Sequence, residues 1–86
     1  MVGIVIVSHS KKLAEGVADL TEMMAQGCPL AIAGGMENGG YGTSYEKIMR
    51  AVESVYSEDG VAILFDMGSA AMTTEMVLED LPYENV

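Results

Sequence analysis

His9, the chain's only histidine, stands in Ser8-His9-Ser10 at the end of an apolar run over residues 2–7. An imidazole that gives one N–H to a carboxylate has its tautomer fixed and keeps the other nitrogen's lone pair for attack. A nitrogen held in this way is a nucleophile for phosphorus. The carboxylate placed to do this is Asp66, which follows a second apolar run over residues 61–65 and opens Asp66-Met67-Gly68-Ser69-Ala70. Asp66 then orients the ring and stabilises its positive charge without taking the proton fully. Ser8 and Ser10 flank the histidine, Thr43 precedes a helical pattern, and Gly68-Ser69 opens another. These five residues are the candidates for holding a phosphoryl group through hydroxyls and helix N-termini. Each has a plainer reading. A lone histidine after a strand is more often a satisfied core residue, Asp66 serves equally as a helix cap, and Ser10 and Ser69 are ordinary caps. The weight lies on the pair.

The elements that must position the pair follow from hydrophobic spacing. Residues 2–7 are a β-branched run of the kind buried on both faces of a parallel sheet. From residue 11 to 26, Leu13, Val17, Leu20 and Met24 recur at amphipathic helical spacing, with Gly27 as the stop. Residues 28–33 form a weaker strand, and Pro29 near its start suggests a sheet edge. Residues 34–42 hold five of the ten glycines and read as a mobile loop. Thr43 and Glu46 fit a capping box, and Ile48, Val52 and Val55 mark one face of the helix that follows. A third strand over 61–65 is expected to be as buried as the first. A last helix over roughly 69–80 follows it, with Met72, Met76 and Leu81 as core contacts and Pro82 as its stop.

This is β-α-β-α-β-α. Right-handed crossovers make it an α/β, doubly wound parallel sheet, of order 2-1-3 if the first strand is central. In such sheets ligands collect beyond the carboxyl ends of the strands, where the winding direction reverses. His9 and Asp66 leave the two strands that meet there. Parallel neighbours lie about 4.8 Å apart, so their side chains are within reach of each other.

Composition narrows the function. The 86 residues allow one domain, and a net charge of −9 repels a phosphate backbone, so nucleic acid is not expected as a partner. One cysteine and one histidine are too few for a structural metal site, and a reducing, cytoplasmic setting is expected. Cys28 reads as a small buried hydrophobe, and Lys11 and Lys12 as exposed lysines of a first helical turn. The opening apolar run is too short to span a bilayer, so no membrane insertion is expected. A receiver domain lacks its acidic pocket here, and a flavin module would want a phosphate loop and more aromatics.

Residues 5–10 (Val-Ile-Val-Ser-His-Ser), followed by Leu13-Ala14-Glu15-Gly16-Val17, resemble the EIIA domains of the mannose class of the bacterial phosphotransferase system (PTS). Within that class, Ser8-His9-Ser10, Gly42-Thr43-Ser44 and residues 66–70 resemble the phosphocarrier branch that serves PTS-dependent dihydroxyacetone kinases. The resemblance covers residues 2 to about 81. It implies that His9 accepts a phosphoryl group from HPr and passes it to ADP bound on the subunit DhaL, with DhaK phosphorylating dihydroxyacetone downstream. Asp66 matches the family's acidic partner of the histidine. No nucleotide or other cofactor is expected on this chain itself, and a homodimer is implied. The family's domain continues with a further strand and helix, so the chain is expected to be a single domain truncated at its C-terminus. The alternatives are an EIIA domain that passes phosphate to an EIIB domain of a mannose-type sugar transporter, and an inactive truncated scaffold.

Overall fold

In the computed structural model, residues 2–36, 43–66 and 68–86 are described. The β-branched run forms strand β1 (Gly3–Ser8), which is central and parallel to β2 (Leu30–Gly34) on one side and β3 (Val61–Phe65) on the other. Helices α1 (Lys11–Met24), α2 (Tyr45–Val55) and α3 (Gly68–Asp80) make the connections and complete the chain. The α/β fold and the 2-1-3 order are those read from the sequence. Register pairs Ser8 with Gly34 and Val7 with Phe65, so the carboxyl ends of all three strands are level.

Side chains alternate across β1. Val5 and Val7 enter a core with Ile48 and Val52 of α2 and Ala70 and Val77 of α3. Ile6 points to the opposite face and is also buried, so the central strand is covered on both sides. The face of α2 marked by Ile48 and Val52 is the buried one.

Helix α1 corrects the stripe expected from its large apolar residues. Leu13, Leu20 and Met24 are at least half exposed, at 50, 56 and 81 %, and Val17 is exposed as well. The helix instead lies over β1 and β2 through a narrow stripe of small residues, with Ala14 fully buried and Ala18 and Thr21 half-buried. Close seating is the reason. A Cβ at Gly34 would stand 2.8 Å from both Ala14 Cβ and Lys11 Cα, so helix and strand touch nearly backbone to backbone.

Three further expectations change. β3 is not buried like β1, because Leu64 and Phe65 are 57 and 53 % exposed, and among the described residues no strand pairs along its outer edge. At its beginning, Val61 N–H donates to the Asn85 carbonyl at 3.0 Å. In α3, Met72 and Met76 face outward while Ala70, Thr74, Val77 and, just beyond the helix, Leu81 face the core, since small and β-branched side chains fit the close approach to α2. Cys28 is half-buried rather than buried, because it precedes β2 instead of lying within it.

β2 is the edge strand that Pro29 suggested. Ile4 N–H donates to the Pro29 carbonyl and Gly35 N–H to the Ser8 carbonyl, which turns the odd-numbered groups of β2 inward and those of Leu30, Ile32 and Gly34 outward. Lys47 Nζ donates to the outward carbonyl of Gly34 at 3.0 Å. An ammonium on an edge carbonyl is one of the ways a sheet edge is kept from pairing with other chains.

Candidate active site

At the carboxyl end of β1 the chain turns sharply into α1. Ser10 caps that helix, its hydroxyl accepting from Leu13 N–H at 3.3 Å. The turn presents His9 to Asp66, the first residue after β3. Asp66 Oδ1 lies 3.2 Å from His9 Nδ1, and Asp66 Oδ2 accepts the His9 backbone N–H at 3.4 Å. The two side chains are 22 and 25 % exposed, so the pair is held by the protein and still open on one side.

Ser8 is 1 % exposed, and its hydroxyl donates to Asp66 Oδ2 at 2.8 Å. Ser8 Oγ in turn accepts Ser10 N–H at 3.1 Å. The Asp66 carboxylate thus has donors on both oxygens. Burial pushes its pKa up, but the hydrogen bonds from Ser8, the His9 ring and the His9 backbone outweigh this and hold it below the usual value of 3.8. Asp66 is therefore ionised at neutral pH. With the carboxylate as acceptor only, the proton between the pair belongs to His9 Nδ1, and in a neutral ring that puts the lone pair on Nε2 at the far edge.

The remaining candidates fall around this point as follows. Thr43 forms a bridge with Gly35, whose N–H donates to the Ser8 carbonyl, so Thr43 sits at the same end of the sheet as His9. It does not cap α2. Ser44 does, accepting from Lys47 N–H at 3.3 Å, and the helix begins at Tyr45, one residue later than a Thr43 cap allows. Two cap-forming residues in succession make that register ambiguous in sequence, and the extended backbone of Ser44 itself, φ −107° and ψ 119°, decides it by excluding Ser44 from the helix. Gly68 opens α3, and Ser69 is in its first turn. The expected glycine loop lies outside the described residues from position 37 to 42. Lys11 and Lys12 are exposed, as read from the sequence.

Two hollows border this end of the molecule. One of about 150 Å³ opens beside Ser8 and Asp66, between Leu13 and Val17 of α1 and Leu64 and Phe65 of β3. The larger, about 380 Å³, runs along the outer edge of β2 and gathers Lys11, Lys47 and Arg50. Neither His9 nor Asp66 lines it, whereas Asp66 and Ser8 line the smaller hollow. Among the described residues no cluster of three or more His, Cys, Asp or Glu side chains is arranged for a metal ion. No helix among them is long and apolar enough to cross a membrane. The contacts that composition and spacing did not reveal include the Ser8–Asp66 hydrogen bond, the His9 N–H to Asp66 and the Ser10 N–H to Ser8 Oγ. The last two depend on the angle of the turn after β1.

Residues 3–85 match the family model EIIA-man, described as PTS system fructose IIA component. The chain belongs to the EIIA-man family. Among curated relatives, the phosphoryl donor subunit DhaM of the PEP-dependent dihydroxyacetone kinase of Escherichia coli is 44% identical over 98% of this chain. The phosphotransferase subunit DhaM of the PTS-dependent dihydroxyacetone kinase of Lactococcus lactis is 43% identical over 90% of it. The chain spans 19% of the first relative's length and 62% of the second's. A solved structure titled unknown function protein EF1359 superposes with a TM-score of 0.82 at 26% identity, over 99% of this chain and 66% of that one.

Proposed function

We propose that the chain is a phosphohistidine carrier that takes a phosphoryl group from HPr on His9 and passes it to ADP bound on DhaL, for use by DhaK on dihydroxyacetone. The observation that carries this reading is the 3.2 Å approach of Asp66 Oδ1 to His9 Nδ1. The names of the relatives, phosphoryl donor or phosphotransferase subunits of dihydroxyacetone kinases, support the assignment of the acceptor.

In the forward step His9 Nε2 forms a bond to phosphorus while the bond from phosphorus to the donor's nitrogen breaks, and that electron pair stays with the donor. The His9 ring becomes cationic and keeps its proton on Nδ1, facing the ionised Asp66, which stabilises the charge. In the onward step the N–P bond breaks, its electrons return to Nε2, and a terminal oxygen of ADP takes the phosphoryl group. Ser10, Thr43, Gly68 and Ser69 are proposed to surround the phosphoryl oxygens, with the amides at the start of α1 as further donors. A cytoplasmic homodimer is part of the same reading, and sedimentation of the purified chain tests its stoichiometry.

The deciding experiment is phosphorylation by phosphoenolpyruvate, Enzyme I and HPr, followed by addition of DhaL with ADP or of a mannose-type EIIB domain. An acid-labile phosphate on His9 that discharges to DhaL–ADP is the expected result. Discharge only to EIIB would assign the chain to sugar transport instead, a reading favoured by the description of the matching family model as a fructose IIA component. Absence of phosphate on His9 would leave an inactive scaffold.

A further inference from the structure

We propose that Ser8 is a positioning residue for the reaction, fixing the rotation of the Asp66 carboxylate, rather than a contact to the phosphoryl group. The proposal rests on His9 being the phosphoryl acceptor.

Ser8 closes β1 and is 1 % exposed, so its hydroxyl has almost no surface to offer a donor. A serine hydroxyl has one proton to give, and here it goes to Asp66 Oδ2 at 2.8 Å. Ser10 N–H, at 3.1 Å, takes up one lone pair of Ser8 Oγ. Donation to a phosphoryl oxygen would require the hydroxyl to abandon the carboxylate. A carboxylate on a single Cβ–Cγ bond has a broad torsional minimum and is free to turn unless both oxygens are engaged. Ser8 engages Oδ2 from the floor of the site, which leaves Oδ1 directed at His9 Nδ1. Through Ser10 N–H the same hydroxyl also braces the first step of the turn that carries His9. One buried oxygen therefore helps to set both partners of the pair, and the tautomer with the proton on Nδ1 follows from their alignment.

The test compares Ser8→Ala and Ser8→Thr with the parent chain, reading the His9 ring tautomer by nitrogen NMR and the rate of His9 phosphorylation by HPr. In the parent the ring proton is expected on Nδ1. Ser8→Ala is expected to shift a measurable fraction to Nε2 and to slow phosphorylation about tenfold, the size of one charge-assisted hydrogen bond. Ser8→Thr, which keeps the hydroxyl and suits a strand, is expected to restore both. Should Ser8→Ala fail to fold, Ser8→Cys, a weak donor of similar shape, takes its place in the same two measurements. An unchanged tautomer and rate in a folded variant without the hydroxyl would overturn the role of Ser8. Failure of the parent itself to accept phosphate would overturn the carrier reading instead.

Discussion

Asp66 Oδ1 sits 3.2 Å from His9 Nδ1, two side chains 57 residues apart in sequence that meet because their strands are parallel neighbours. Replacing Asp66 by Asn keeps the shape and reverses the polarity. An amide can turn its NH2 toward Nδ1, which favours the ring proton on Nε2 and removes the nucleophilic lone pair. Asp66→Asn is expected to slow phosphorylation by about 10²-fold or more, and His9→Ala to abolish it. Transfer measured with labelled phosphoenolpyruvate checks both. Normal transfer in Asp66→Asn would remove the orienting role of the carboxylate.

The lowered pKa of Asp66 has a direction in pH. Its folded value lies below 3.8, so the unfolded chain takes up the proton first as acid is added. The stabilisation is therefore complete above that value and is lost as pH falls through the lower folded one. The difference in melting temperature between the parent and Asp66→Asn is expected to narrow as pH drops from 7 to 3. A gap that stays constant over that range would show that the hydrogen bonds to Asp66 do not distinguish its charged form.

Tyr45 behaves in the opposite sense. Its hydroxyl donates to Asp80, and this bond, with some desolvation and the negative charges of Asp80 and Glu46, pushes its pKa up to about 12. The unfolded chain loses this proton near 10 and the folded one later, so the contribution is full below 10 and fades through about 12. An alkaline titration followed by tyrosine absorbance is expected to lose a step at about 12 in Tyr45→Phe.

Gly34 is the position at which a single methyl group should disturb the site from a distance. An added Cβ meets Ala14 Cβ and Lys11 Cα at 2.8 Å and the Ser10 carbonyl at 3.1 Å, all belonging to α1 or its cap. Gly34→Ala is expected to cost about 1–3 kcal/mol in urea unfolding, as overpacking does, and to slow phosphorylation by shifting the turn around His9. Wild-type stability in this variant would mean that α1 seats less closely than described.

Core and surface should separate cleanly among the large apolar residues. Ile48 is fully buried against β1, whereas Met72 is 69 % exposed on α3. Ile48→Ala is expected to lose about 2–5 kcal/mol and Met72→Ala to stay within about 0.5 kcal/mol, by denaturant midpoint.

The topology and the His9–Asp66 pair were legible because each rests on a strong signal: β-branched runs mark the strands, and right-handed crossovers bring their ends together. The helix faces were less legible. In α1 the conspicuous stripe of Leu13, Val17, Leu20 and Met24 is exposed, while Ala14, Ala18 and Thr21 do the seating. Hydrophobic spacing shows where apolar mass lies on a helix, whereas close packing against a glycine in the neighbouring strand selects small residues that carry little such signal. The same bias made Met72 and Met76 look like core residues in place of Ala70 and Val77. The cap of α2 falls one residue later than the spacing predicts because Thr43 and Ser44 are chemically equivalent as caps, and only the extended backbone of Ser44 separates them.

The two rims of the sheet are unlike. On the β2 side, an arriving strand would have to displace the Lys47 ammonium from the Gly34 carbonyl and enter a hollow already holding Lys11 and Arg50. On the β3 side it would meet the side chains of Leu64 and Phe65 and, beyond Val61, a row of backbone groups that no strand among the described residues takes up. Enlargement of this sheet consequently has a polarity. Among the described residues the outer edge of β3 offers open backbone groups and apolar side chains to a further strand, whereas the edge of β2 offers an ammonium.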